Sequence, residues 1–378
     1  MGELEVHNLT KRIANRLVVD RVSFHVNDGE FFVILGPEQS GKTMLLRLIS
    51  GLEDPDAGSI ILNGRDITYL PAGQRNIGMA FQSTRVLQDR QNVYDSIAAV
   101  LKNQGVPASG VEMHVISVAH MLDIKHLLKR KVANLSGGEL QRVALARVLV
   151  RKAQLYLFDE PLTHLEIRDR HRAWQQILMA HRLQSQSSIY TTREPSEALA
   201  IADRIAVFAY GRIHQVGKAS ELLDMPANVF VAQFVHIPPM NILHGYLQAI
   251  YRQSGLRYRV LIKGLTIWLP PRWNHVLQRC NSSDILLGIR PASILPEKSF
   301  ADLETREGNI SQALVIEVEY HAKRTSVRLR LPDGEELVAL LALAPYERLT
   351  PGQVITIGID TEQLCLFHPL TRLLIQQD

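Results

Sequence analysis

The tightest constraint in this chain is the octet Gly-Pro-Glu-Gln-Ser-Gly-Lys-Thr at residues 36–43, set between a strand-like run, Phe31–Leu35, and a helix-like run that starts at Met44. Glycines at 36 and 41 followed by Lys42 and Thr43 demand a strand that turns sharply through a tight loop into a helix. Such a turn aims several backbone N–H groups and a helix N-terminus at one point, which suits a phosphate. Gly36, Pro37, Glu38, Gln39, Ser40 and Gly41 then form the cradle, Lys42 reaches the outer phosphates, and Thr43 supplies a hydroxyl to Mg2+.

Two later stretches extend that chemistry. Leu155–Pro161, LYLFDEP, is an apolar strand that ends in two carboxylates. Behind a phosphate loop, Asp159 is placed to hold the Mg2+ hydration shell opposite Thr43, and Glu160 to polarise an attacking water. Between them lies NLSGGELQRVALARVLV, in which Ser136, Gly137, Gly138 and Glu139 open a helix and make a second nest of phosphate size.

From Val6 to about Val235 strand-like runs alternate with helix-length segments, among them Val111–Leu128 and Arg168–Leu183. Alternation of this kind predicts an α/β layer on a mostly parallel sheet. After the turn His236–Asn241 the pattern changes to short, closely spaced β-type runs with no long helix, which predicts a small all-β barrel or sandwich. The expected domains are therefore 1–235 and 236–378. The chain of 378 residues is 46% apolar and 21% charged, with no stretch of membrane-spanning length and no secretory leader at its start, so a cytoplasmic location is expected. Cys280 and Cys365 read as buried apolar residues, and the fourteen histidines show no paired-ligand spacing, so no structural metal is assigned. The net charge of +4 is dispersed apart from Lys125–Lys131, which reads as a solvated face rather than a nucleic-acid surface.

With these motifs in this order, the chain closely resembles the ATP-binding-cassette ATPases. GPEQSGKT resembles their phosphate loop, Gln82 in MAFQS their glutamine loop, LSGGE their signature motif, and LFDEP their Mg2+ and catalytic-base strand. FVHIPPMNILHG and GIRPASILPE resemble the domain join and the regulatory barrel of the maltose and glycerol-phosphate importer type. The resemblance implies a nucleotide-binding domain with a mostly parallel sheet and a helical subdomain, followed by an OB-like barrel. It further implies ATP with Mg2+ held by Thr43, Gln82 and Asp159, and two ATPase chains paired head to tail, each signature motif acting on the partner's nucleotide. Membrane permease subunits, an external solute-binding protein and a peripheral place on the cytoplasmic face of the membrane complete the implied setting.

Four departures from that family's pattern concentrate on one site. Gln39 stands where the importers have glycine, so its side chain is expected to hinder a left-handed backbone. Ile13 stands where an aromatic residue stacks on adenine. LTHLE, with Thr163, His164 and Glu166, replaces the loop that couples the two sites, and Arg193 replaces the switch histidine at the γ-phosphate. Arginine donates but cannot relay a proton. The expectation is a site that binds ATP and turns it over poorly, in the weaker half of an unequal pair or in a non-hydrolysing scaffold subunit. VLQDRQNVYDSI, after Gln82, departs from the common pattern where the family meets its membrane subunits.

Overall fold

The computed structural model describes residues 2–81, 91–163, 167–252, 255–279, 282–297, 309–320, 324–342 and 348–376. By its internal contacts the chain divides into residues 1–219 and 220–378, a division that falls before the turn at His236–Asn241.

The first unit runs β1 (Leu4–Ile13), β2 (Arg16–Val26), β3 (Phe31–Leu35), α1 (Lys42–Ser50), β4 (Ala57–Leu62), β5 (Arg65–Asp66), β6 (Ile77–Ala80), α2 (Val93–Lys102), α3 (Ala108–Met121), α4 (Gly137–Leu149), β7 (Leu155–Asp159), α5 (Ile167–Gln184), β8 (Ser187–Thr192), α6 (Pro195–Ile201), β9 (Arg204–Ala209) and β10 (Arg212–Gly217). Its central sheet has the order β10-β9-β3-β8-β7-β6. The contacts of β9, β3, β8, β7 and β6 are parallel, and only the edge pair β10/β9 is antiparallel. Every residue of β3, β7 and β8 is buried, as a parallel sheet covered on both faces requires. The α/β layer expected from the alternation is present.

A second, antiparallel sheet, β2-β1-β4-β5, is not part of that expectation. β1 and β2 join through Ala14 and Asn15, both left-handed at φ 44° and 66°, which suits a tight two-residue hairpin. Leu4, Val6, Leu9 and Val19 of this sheet share one core with Ile34 of β3 and Leu45 of α1. The run Val111–Leu128, expected as one helical length, stops at Met121. Asp123 is left-handed at φ 53°, and a separate 3-10 turn covers Lys125–Leu127.

The second unit takes up α7 (Ala219–Asp224), α8 (Val229–Val235), β11 (Asn241–Arg252), β12 (Gly255–Ile262), β13 (Leu265–Trp268), α9 (Asn274–Gln278), β14 (Asp284–Ile289), β15 (Ile294–Pro296), β16 (Ile310–Tyr320), β17 (Thr325–Arg330), β18 (Glu336–Leu341), β19 (Val354–Ile359) and β20 (Cys365–Phe367). Two five-stranded antiparallel sheets, β13-β12-β11-β14-β20 and β15-β19-β16-β17-β18, close on one core containing Val260, Ile267 and Leu287 from the first and Val315, Leu329 and Ile357 from the second. This β-rich unit is consistent with the OB-like barrel implied by the resemblance. Val229 and Ala232 of α8 pack on Met240, Cys365 and Phe367 of the same unit. Cys365 is a buried free thiol as expected, and Cys280 lies outside the described residues. No helix among the described residues is long and apolar enough to cross a membrane.

Candidate functional site: a phosphate loop at three strand ends

The site is assembled at the C-terminal ends of β3, β8 and β7, which lie side by side. Leu35 pairs with Thr192, and Asp159 with Thr191. Gly36 N–H donates to the Thr192 carbonyl at 3.1 Å, so the phosphate loop leaves the sheet stitched to the neighbouring strand. A ligand crevice outside the carboxyl ends of parallel strands is where open α/β sheets place their chemistry.

Glycine is required at both ends of the loop. A Cβ on Gly36 would run into the Phe208 carbonyl oxygen, and one on Gly41, at φ 105°, into that of Val18. Gln39 adopts the left-handed conformation after all, at φ 59°. The loop therefore keeps a shape that glycine would take freely, with the Gln39 backbone strained.

Lys42 is only 3% exposed. Its Nζ donates to the carbonyls of Gly36 at 2.9 Å and Pro37 at 2.8 Å, and lies 3.1 Å from Glu160 Oε1. The expected phosphate lysine and the expected base are thus ion-paired with each other. Glu160 is itself left-handed, at φ 42°, and its second carboxylate oxygen lies 3.2 Å from the Thr163 hydroxyl. Its N–H donates to Thr191 Oγ1 at 3.0 Å.

Thr43 Oγ1 donates to Asp159 Oδ1 at 3.1 Å, bringing together two of the three residues assigned to Mg2+. The third, Gln82, lies outside the described residues, as do His164 and Glu166. Burial pushes the Asp159 carboxyl above its usual range, against the opposing hydrogen bonds from Thr43 and Thr191. A buried carboxylate beside a hydroxyl is a hard-oxygen donor set, and a nearby cation would offset the cost of ionising Asp159, so these residues fit Mg2+.

Arg193 follows directly on β8 and faces the loop. Its guanidinium lies 3.6 Å from Glu38 Oε2 and 4.0 Å from Glu194 Oε1. The turn beneath it is fixed by Thr192, whose hydroxyl donates to Glu197 Oε2 at 2.6 Å and accepts the Glu194 N–H at 3.0 Å. Tyr190 also donates to Glu197, whose carboxyl is pushed up by burial.

Ile13 ends β1 at the hairpin tip and is 46% exposed, an aliphatic side chain open to solvent. The signature residues form a capping box at the start of α4. Glu139 N–H donates to Ser136 Oγ at 3.4 Å and Ser136 N–H to Glu139 Oε2 at 2.8 Å, with Gly137 and Gly138 in the first turn. The backbone bond from Ser136 is the largest of the contributions that hold the Glu139 carboxyl below its usual range.

A family model described as ABC transporter matches residues 19–163. The trehalose/maltose import ATP-binding protein of Thermococcus litoralis is 35% identical over 98% of this chain and 99% of its own length. The chain belongs to the ABC transporter ATP-binding family. The sn-glycerol-3-phosphate import ATP-binding protein of Psychromonas ingrahamii is 34% identical over 100% of this chain and 97% of its own length. Among solved structures, a nucleotide-free ATP-binding cassette from an ABC transporter aligns with 58% of this chain and 92% of its own at a TM-score of 0.52 and 23% identity, a likeness of fold. As a member of this family the chain is an ABC-type ATPase, and the family binds ATP with Mg2+.

Thr191 is a contact of the candidate site that sequence reasoning missed. Its hydroxyl lies 3.2 Å from Asp159 Oδ1, 3.3 Å from the Phe158 carbonyl, and receives the Glu160 N–H. Nothing local in TTREP signals this contact, which exists only because β7 and β8 are neighbours.

Proposed function

We propose that this chain is the ATP-binding subunit of an importer for a small solute of the sugar, polyol or glycerol-phosphate class, and the weaker half of an unequal ATPase pair. Full-length kinship with import ATP-binding proteins is the observation that carries the first part. In this reading residues 1–235 do the nucleotide chemistry and residues 236–378 form a regulatory domain. The chain sits on the cytoplasmic face of the membrane against permease subunits, with an external binding protein delivering the solute and no nucleic acid involved.

Bound Mg-ATP supplies the phosphoanhydride and the cation that balances its charge. The protein's own groups do the rest. Lys42 exchanges its contact with Glu160 for the outer phosphates, which frees the Glu160 carboxylate to accept a proton from water. Thr43 and Asp159 keep their oxygens aimed at the cation. Arg193 donates to the terminal phosphate but moves no proton, and removing a transition-state donor altogether at such a position costs about 3 kcal/mol. Ser136, Gly137, Gly138 and Glu139 serve the partner's nucleotide.

Gln39 and Arg193 also support an alternative, a scaffold subunit that binds ATP without hydrolysing it, and single-turnover hydrolysis by the purified chain separates the two. In a reconstituted importer, Ser136→Arg should abolish transport, whereas Glu160→Gln should cost far less than the roughly two to four decades that loss of a general base produces. If Glu160→Gln stops transport as completely as Ser136→Arg, or if two copies of this chain alone hydrolyse ATP at an ordinary rate, the unequal-pair reading fails.

A further inference from the structure

Two ion pairs join charged groups within the phosphate site. One is the buried Lys42 and Glu160. The other, Arg193 with Glu38, bridges the end of β8 and the phosphate loop itself. Their meeting follows from the sheet. Leu35 and Thr192 are register partners and Gly36 N–H is bonded to the Thr192 carbonyl, so a residue two places along the loop and the residue after Thr192 emerge from adjoining strand ends. The backbone at Arg193 is anchored through Thr192 and Glu197, which leaves the long side chain as the part that can swing. Glu194, the other carboxylate in reach, is shared with Arg170 at 3.8 Å.

A carboxylate on a loop that cradles polyphosphate is electrostatically adverse unless a cation covers it. Arg193 does so here. Its planar fork can face the carboxylate or a terminal phosphate, and engaging one gives up the other.

We propose that Glu38 is a positioning residue that holds Arg193 away from the phosphates, so that a γ-phosphate must compete for the arginine and the site prefers ATP over ADP less than it otherwise would. The proposal rests on the reading of this site as an ATP site with Arg193 at the γ-phosphate. ADP has no group to compete with, so the penalty falls on the triphosphate. Both side chains are partly exposed, 38% for Arg193 and 75% for Glu38, which keeps the effect modest.

The test is calorimetric titration of the full chain with Mg-ADP and with the non-hydrolysable analogue Mg-AMP-PNP. Glu38→Gln should raise the ratio of AMP-PNP to ADP affinity about three- to fivefold, the scale of an exposed charge pair. Glu38→Ser should do the same. In an Arg193→Gln background, Glu38→Gln should move both affinities together and leave the ratio where it was. An unchanged ratio in both single variants overturns the proposal, as does an equal rise in the ratio when Arg193 is absent. A wild-type chain that binds neither nucleotide overturns the ATP-site reading beneath it, an outcome distinct from binding with an unaltered ratio.

Discussion

Gln39 carries a side chain through a conformation that glycine occupies freely, and the loop closes around Lys42 all the same. Substitution there separates backbone strain from loop chemistry. Gln39→Gly relieves the left-handed strain but adds freedom to the unfolded chain, so stability should stay within about 1 kcal/mol of wild type. Gln39→Val puts a branched side chain at a positive φ and should cost about 1–2 kcal/mol. Denaturant unfolding of the full chain checks both, and equal midpoints for the two variants would remove strain from the account. The octet at 36–43, Asp159 and Glu160 were legible because their geometry is written in consecutive residues. Thr191 and the Glu38–Arg193 contact were not, because each depends on which strands lie side by side.

Helix α1 delivers Lys42 and Thr43, and its far end is held by a buried cation. Arg75 donates to the carbonyls of Leu48, Ile49, Thr68 and Leu70 at 2.6–2.9 Å. Two of these belong to the last turn of α1, where the carbonyls lack partners within the helix. Gly51, at φ 77°, ends the helix, and a Cβ there would meet the Arg75 guanidinium. Arg75→Ala takes a donor from all four carbonyls, of which Leu48 keeps the Gly51 N–H at 3.2 Å, and should destabilise the first unit by about 3 kcal/mol or more. Arg75→Lys should recover only part of that, since a single ammonium cannot span the same acceptors. Thermal unfolding with and without Mg-ATP measures it, and a wild-type melting point in Arg75→Ala would refute this capping role. The sheet β2-β1-β4-β5 escaped the sequence reading for a physical reason. Register shifts between Val6 and Leu9, Leu9 and Lys11, and Lys11 and Arg12 break the alternation by which β1 would be recognised.

Over the whole molecule, the change of composition at His236 was legible, yet the segment from Ser220 to Val235 groups with the β-rich unit. The reason is nonlocal packing of α8 on Met240, Cys365 and Phe367. A fragment of residues 220–378 should therefore unfold cooperatively, while one of residues 236–378, stripped of Val229, Val231 and Ala232, should lose on the order of 3 kcal/mol and bind a hydrophobic dye. Equal melting temperatures for the two fragments would contradict this packing role. The same segment also meets the unit's last residues. Val229 N–H donates to the Arg372 carbonyl, Leu374 N–H to that of Ala227, and Asn228 bridges Leu373. Residues 227–229 and 372–374, about 145 positions apart in sequence, thus clasp one another by backbone hydrogen bonds, so a cut that removes either strip also unpairs the other.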